Sequence, residues 1–329
     1  MIKGLISAFQ YLIQQKFLMK VLKWLIMLGA YTYLLVVLIR FEHYDELWAS
    51  FRHFSLIKLG WIGLVLVLLP ANIILETLKW RFIVSKLEKL TLINSLKDVL
   101  AGFSTGFFTP NRSGELVGRI AFLSSGNRKV GVLYALLNSL SQNIVLIFFG
   151  LPTAFLYFLS NHQVLKFNYP TYLTILMMLL LLFLGIYLTI PYWTKTKIWK
   201  KIFPFTRGIE SFSLVNLLTI FDYSFVRYLV FCVQFFAMLR FFSVDINLWQ
   251  AFLAIPTSYL LITFTPSIAI SEAAIRSSLA VLIIGAFSTN TGGIALAGIS
   301  LWLLNFGIPM LIGATVLVGK KTNKSPKGE

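Results

Sequence analysis

Uncharged apolar runs of about 18 or more residues recur along this 329-residue chain, and such a run forms a helix that spans the roughly 30 Å hydrocarbon core of a bilayer. Two further apolar regions are each broken by the same short polar motif. The first copy reads Thr109-Pro110-Asn111-Arg112-Ser113-Gly114-Glu115, with Arg119 four residues on. The second reads Thr265-Pro266-Ser267-Ile268-Ala269-Ile270-Ser271-Glu272, with Arg276 four residues on, and the two prolines lie 156 residues apart. Lipid cannot hydrogen-bond a broken backbone, so breaks at membrane depth persist only inside protein or beside a cavity. Paired breaks in corresponding halves point to a binding site at the interface of two repeats.

Composition agrees with a polytopic helical membrane protein. The chain is 58% hydrophobic and 12% charged, against roughly 25% charged in soluble domains. No segment is long and polar enough to fold as a soluble domain, so residues 1–329 read as a single membrane domain. Cys232 is the one cysteine and sits in an apolar run, which excludes a disulfide framework and a cysteine metal site. His43, His53 and His162 lie in loop-like sequence without ligand spacing. No metal or cofactor is expected.

Complete spans are predicted at about 21–39, 60–78, 131–159, 170–191, 217–239 and 294–318. The broken regions, 97–124 and 249–286, are shorter on each arm. Residues 97–108 make roughly 18 Å of helix, too little to cross, and residues 249–264 contain Pro256. Each region therefore reads as a re-entrant hairpin, although two complete crossings per region leave the same sidedness.

Basic residues fix the orientation. With the N-terminus inside, the inner segments 1–23, 79–97, 125–130, 192–213 and 320–329 hold 20 Lys and Arg, and the outer segments hold 5. Both termini are then cytoplasmic. Three complete spans separate the hairpins, which places them in opposite orientations. The stretch Leu90-Thr91-Leu92-Ile93-Asn94-Ser95-Leu96 before the first hairpin also echoes Val244-Asp245-Ile246-Asn247-Leu248-Trp249 before the second. The expected fold is all-α: about six full transmembrane helices plus two oppositely oriented re-entrant hairpins in an inverted repeat. The half-repeats run over about 60–160 and 170–318.

Residues 1–20 are too polar for a span and lack the features of a signal peptide. Phe9, Leu12, Ile13 and Phe17 suit an interfacial helix. The basic, aromatic-containing stretch 195–201 borders a span, which fits an anionic inner leaflet better than nucleic acid. The tail 320–329 reads as disordered.

Chemically, Thr before Pro is a helix start, with Thr109 and Thr265 as N-caps and proline first in the helix. The unpaired N–H groups of such an end attract phosphate or carboxylate. Arg112 adds a planar, permanently charged fork, and Gly114 permits close approach. Glu115–Arg119 and Glu272–Arg276 are i,i+4 pairs in the favourable order. One such pair serves equally well as an interfacial anchor, but its recurrence at both breaks favours a site. Asn138, Ser139, Gln142 and Asn143 suit helix–helix hydrogen bonding. Asp222 and Arg227 suit interior pairing or transport coupling. Glu76, Lys79 and Arg81 read as a span end whose long side chains snorkel to the inner surface.

The segment around Pro110-x-Arg112-x-Gly114-Glu115-x-x-x-Arg119 resembles the membrane region of lysylphosphatidylglycerol synthases and their stand-alone, flippase-like relatives. The stretch from Pro266-Ser267 through Glu272 to Gly285 resembles the family's second signature, with Ile268, Ala269 and Ile270 in place of its usual glycines. Arg81 after an early span also fits. The resemblance implies movement of a lipid between leaflets of the bacterial cytoplasmic membrane. Site residues would be Arg81, Thr109, Pro110, Arg112, Gly114, Glu115, Arg119, Pro266, Ser267, Glu272 and Arg276. The substrate would be an anionic phospholipid or a polyprenyl-phosphate-linked lipid. The sequence ends eleven residues after the last span, so the soluble aminoacyl-transferring activity of the full-length synthases is not expected. A membrane transferase acting on a lipid-linked substrate and a non-transporting scaffold for envelope enzymes are the alternatives.

Overall fold

The computed structural model describes residues 55–107, 109–161, 169–197, 208–267 and 269–322, with Thr32 and Ile39 as isolated positions. The span at 21–39, the interfacial helix at 1–20, all three histidines and most of the basic stretch 195–201 fall outside the described residues.

Every regular element among the described residues is helical. In chain order these are α1 (Leu56–Val84), α2 (Leu92–Phe107), the short α3 (Glu115–Arg119), α4 (Arg128–Asn161), α5 (Tyr169–Lys195), α6 (Leu214–Phe241), α7 (Leu248–Phe264), α8 (Ala269–Ile284), α9 (Thr291–Trp302) and α10 (Ile308–Thr322). A π-helical turn, Leu303–Gly307, joins α9 to α10 without a break in direction of travel. Five stretches are long and apolar enough to cross a membrane: Leu56–Val84, Ser125–Ser160, Pro170–Lys195, Leu214–Phe241 and Thr291–Val318. They contain five of the six expected spans. The tail expected to be disordered from residue 320 is instead helical as far as Thr322.

Local chemistry sets the helix starts. Ser55 accepts from the Lys58 amide at 3.2 Å and opens α1. Ser213 with Asn216 and Asn247 with Gln250 form reciprocal capping boxes at α6 and α7. Thr91 Oγ1 accepts from the Asn94 amide ahead of α2. Thr91 and Asn247 are themselves 156 residues apart, so the echo seen in the sequence corresponds to two helix caps.

α1 packs along α6 at the centre. α2 lies against α3 and α10, while α7 lies against α4 and α8. These contacts require small residues. A Cβ on Gly118 would stand 2.1 Å from Thr105 Oγ1, and one on Gly313 would stand 1.9 Å from the Leu100 carbonyl. Both positions must be glycine for α3 and α10 to reach α2. The outer faces are apolar instead: Met178, Leu181, Leu182 and Ile186 of α5 and Val67 of α1 are all more than half exposed. That distribution suits a lipid surround.

Candidate functional site

The first break is a tight turn rather than a continuous helix start. Asn111 and Arg112 adopt left-handed backbone, with φ of 50° and 56°, in the turn Pro110–Arg112. Thr109 Oγ1 accepts from the Gly114 amide at 2.7 Å, so Thr109 does cap, five residues ahead. The helix it precedes begins only at Glu115. The Asn111 and Arg112 amides are also taken, by Ser267 O at 2.9 Å and Thr109 O at 3.1 Å. The turn thus spends the amides of Thr109, Asn111, Arg112 and Gly114, where free N–H groups were expected to hold an anion, and the charge on offer belongs to side chains.

The second break is an extended link. Thr265 closes α7, its hydroxyl donating back to Leu261 O at 2.7 Å. α8 begins at Ala269. Thr265 is thus a C-cap, and Pro266 lies outside both helices, contrary to the expected N-cap and first helical position.

The two breaks touch each other. Asn111 N donates to Ser267 O at 2.9 Å, and Ser267 N donates to Asn111 Oδ1 at 3.0 Å. These positions are equivalent in the two motifs, each the residue after Thr-Pro. The Glu-Arg pairs also match in detail. Arg119 places Nε and Nη2 on Glu115 Oε1, and Arg276 places Nε and Nη2 on Glu272 Oε1 at 3.1 and 2.7 Å.

Behind the first break lies a buried ionic hub centred on Glu76, which has no solvent exposure. Its carboxylate accepts from Arg119 Nη2, from Arg227 Nη1 at 2.7 Å, from Lys79 Nζ at 3.0 Å and from Asn138 Nδ2 at 2.8 Å. Arg227 Nε donates to Asn72 Oδ1 at 2.7 Å, and Asn72 Nδ2 donates to Asn305 Oδ1 in the π-helical turn at 2.9 Å. Charges this deep are tolerated only when paired and hydrogen-bonded. The hub ties α1, α3, α4, α6 and the last span together.

Between the breaks and the hub is a cavity of about 400 Å³, within the range that accepts a small ligand or headgroup. The first break contributes Asn111, Arg112, Ser113, Glu115 and Arg119; the second contributes Thr265, Ser267, Glu272 and Arg276. One aromatic ring links the halves: Phe306 lies 4.1 Å from the Arg112 guanidinium carbon and 4.6 Å from that of Arg276. Its place in a π-helical turn is typical of functional positions. Among the described residues no group of three His, Cys, Asp or Glu side chains could hold a metal ion.

The family model described as the lysylphosphatidylglycerol synthase TM region matches residues 21–313. The chain belongs to this family. No curated protein and no solved structure shows significant similarity to it. Membership in the lysylphosphatidylglycerol synthase TM family, together with the five long apolar helices, makes it a multi-pass membrane protein tied to lipid modification or transport.

Of the residues that the family resemblance and the motifs pointed to, Arg112, Glu115, Arg119, Ser267, Glu272 and Arg276 converge on the cavity. Thr109, Gly114 and Pro266 belong to the breaks without lining it. Arg81 does not join them; it is exposed, and its Nε donates to Leu90 O at 3.1 Å. The snorkelling expected of Glu76 and Lys79 is overturned, since both are fully buried. α1 continues to Val84, two turns beyond Glu76. Asn138, Ser139, Gln142 and Asn143 line the cavity, and Asn138 and Gln142 also bond between helices. Arg227 joins the hub, whereas Asp222 is exposed. The signal for the missed hub is the spacing Asn72, Glu76, Lys79, which sets three polar side chains on one face of α1.

Proposed function

We propose that this protein is a lipid transporter of the flippase type, carrying an anionic phospholipid or polyprenyl-phosphate-linked headgroup through the cavity between the breaks. The observation that carries the reading is the reciprocal pairing of Asn111 with Ser267 beside an arginine-lined cavity. Pairing of equivalent residues is what a two-fold relation between halves demands. Packing agrees: α2 of the first half rests on α10 of the second, and α7 of the second rests on α4 of the first. In this reading α2–α3 and α7–α8 are oppositely oriented re-entrant hairpins of an inverted repeat, with half-repeats at about 60–160 and 170–318. Both termini face the cytoplasm, and the membrane is the bacterial inner one.

In that arrangement Arg112 and Arg119 meet the phosphate, while Glu115 and Glu272 hold Arg119 and Arg276 in place. Ser267 keeps the two breaks registered. Lipid tails remain against the apolar outer faces, so only the headgroup needs the polar route.

The test is lipid movement in proteoliposomes, read by quenching of fluorescent anionic phospholipid from one leaflet. Wild type should exchange label between leaflets, and Arg112→Ala should lose that exchange while keeping its helical content and monodispersity. Exchange at the wild-type rate in Arg112→Ala sinks the proposal.

A further inference from the structure

Two of the cavity's arginines, one from each break, share a single aromatic ring. The guanidinium carbons of Arg112 and Arg276 stand 4.1 and 4.6 Å from the centre of Phe306, inside the roughly 6 Å over which a ring face attracts a cation. The two are otherwise held differently. Arg276 is also fixed by Nε and Nη2 on Glu272. The Arg112 guanidinium makes no hydrogen bond among the described residues, and its carboxylate neighbour, Glu115, stays 4.0 Å from Nε. Arg112 lines the cavity, so what holds its charge there is chiefly the ring. A ring face attracts a cation without supplying an acceptor atom, which leaves the N–H donors of Arg112 for a ligand.

Phe306 is itself firmly placed. It belongs to the π-helical turn Leu303–Gly307. The preceding residue, Asn305, is buried and accepts from Asn72 Nδ2 of α1 at 2.9 Å. Phe231 of α6 stacks on the ring at 6.4 Å with the planes 9° apart, and Phe103 of α2 meets it edge to face at 6.3 Å. The ring is therefore set by α1, α2 and α6, and it in turn sets the two arginines.

We propose that Phe306 is a positioning residue for the headgroup, holding Arg112 with its donors free for an anionic oxygen and tying that placement to Arg276 of the other break. It acts through Arg112 rather than on the ligand. The inference rests on the cavity being the headgroup site of the reading above. A role in packing alone makes a different demand: ring shape would matter and ring electrostatics would not.

The experiment titrates the unfolding midpoint of the full chain in detergent with dioleoyl phosphatidylglycerol and, in parallel, with farnesyl phosphate. Dioleoyl phosphatidylcholine measures unspecific stabilisation by lipid. Phe306→Leu removes the ring and should raise the half-saturating concentration roughly tenfold, the scale of one desolvated cation–π contact. Trifluorophenylalanine at position 306 keeps the shape of the ring and weakens its negative face. It should shift half-saturation in the same direction, and it decides the matter if Phe306→Leu does not fold. Phe306→Tyr keeps the face and should bind as wild type does. In an Arg112→Gln background Phe306→Leu should add little, because the guanidinium it places is gone. Wild-type half-saturation with the fluorinated ring, or fully additive effects of Phe306→Leu and Arg112→Gln, overturns the inference while leaving the headgroup site in place. No response of wild type to either anionic lipid beyond the phosphatidylcholine control removes the headgroup site, and this inference with it.

Discussion

Replacing Glu76 by Gln is the sharpest probe of the hub. The substitution keeps size and shape but removes the charge that Arg119, Arg227 and Lys79 share. The new amide offers one acceptor oxygen and turns an NH2 toward a cation. Removing one partner of a buried ion pair costs about 3–5 kcal/mol, and here three cations lose the same partner at a site without solvent exposure. At about 2–4 °C per kcal/mol, the scale for folded domains of moderate size, the unfolding midpoint should fall by about 6–20 °C. Thermal unfolding of the detergent-purified protein, followed by circular dichroism, measures it. Adding Lys79→Met to Glu76→Gln supplies the control. It removes one of the orphaned cations, so the double variant should recover part of the loss even though Lys79→Met alone does not stabilise. If Glu76→Gln stays within about 1 kcal/mol of wild type, or the double variant is simply additive, the hub is not an electrostatic unit and the reasoning fails.

Other perturbations test separate links. Gly118→Ala should destabilise by about 1–3 kcal/mol or more through overpacking, because its Cβ meets Thr105 and the Ala101 carbonyl, whereas Gly63→Ala has open space and should be neutral or mildly stabilising; paired melting curves decide it. Asn111→Gly keeps access to the left-handed backbone and removes only the side-chain acceptor for Ser267 N, so a loss of about 1 kcal/mol is expected, with no loss arguing against docking of the breaks. Burial raises the Glu88 carboxyl, but hydrogen bonds from Ser124 and Asn127 outweigh it and hold the group below its ordinary value. A depressed carboxyl stabilises the fold at neutral pH, and that contribution disappears as pH falls through the folded-state value. An acid titration of the unfolding midpoint should therefore be shallower in Glu88→Gln than in wild type.

What the sequence reveals here follows from how far each signal extends. Spans are legible because lipid demands an uninterrupted apolar run, and five of them lie where hydropathy puts them. The breaks are legible because Thr-Pro followed by Glu-x-x-x-Arg is too polar for lipid. Their conformation is not, since Thr-Pro is compatible with a helix start, and what decides otherwise is a partner 156 residues away: Ser267 takes the Asn111 amide. The Glu76 hub was obscured for a related reason. Glu76, Lys79 and Arg81 read in order along the chain resemble a fraying cytoplasmic end. Taken at helical spacing, Asn72, Glu76 and Lys79 separate from Arg81 and fall on one stripe, and Ser224, Arg227 and Gln234 do the same on α6, the helix that faces it. Two polar stripes of this kind have no stable place in lipid and must find each other. What they enclose then follows from the lining: four arginines stand against three glutamates around the cavity, a balance that favours an anion.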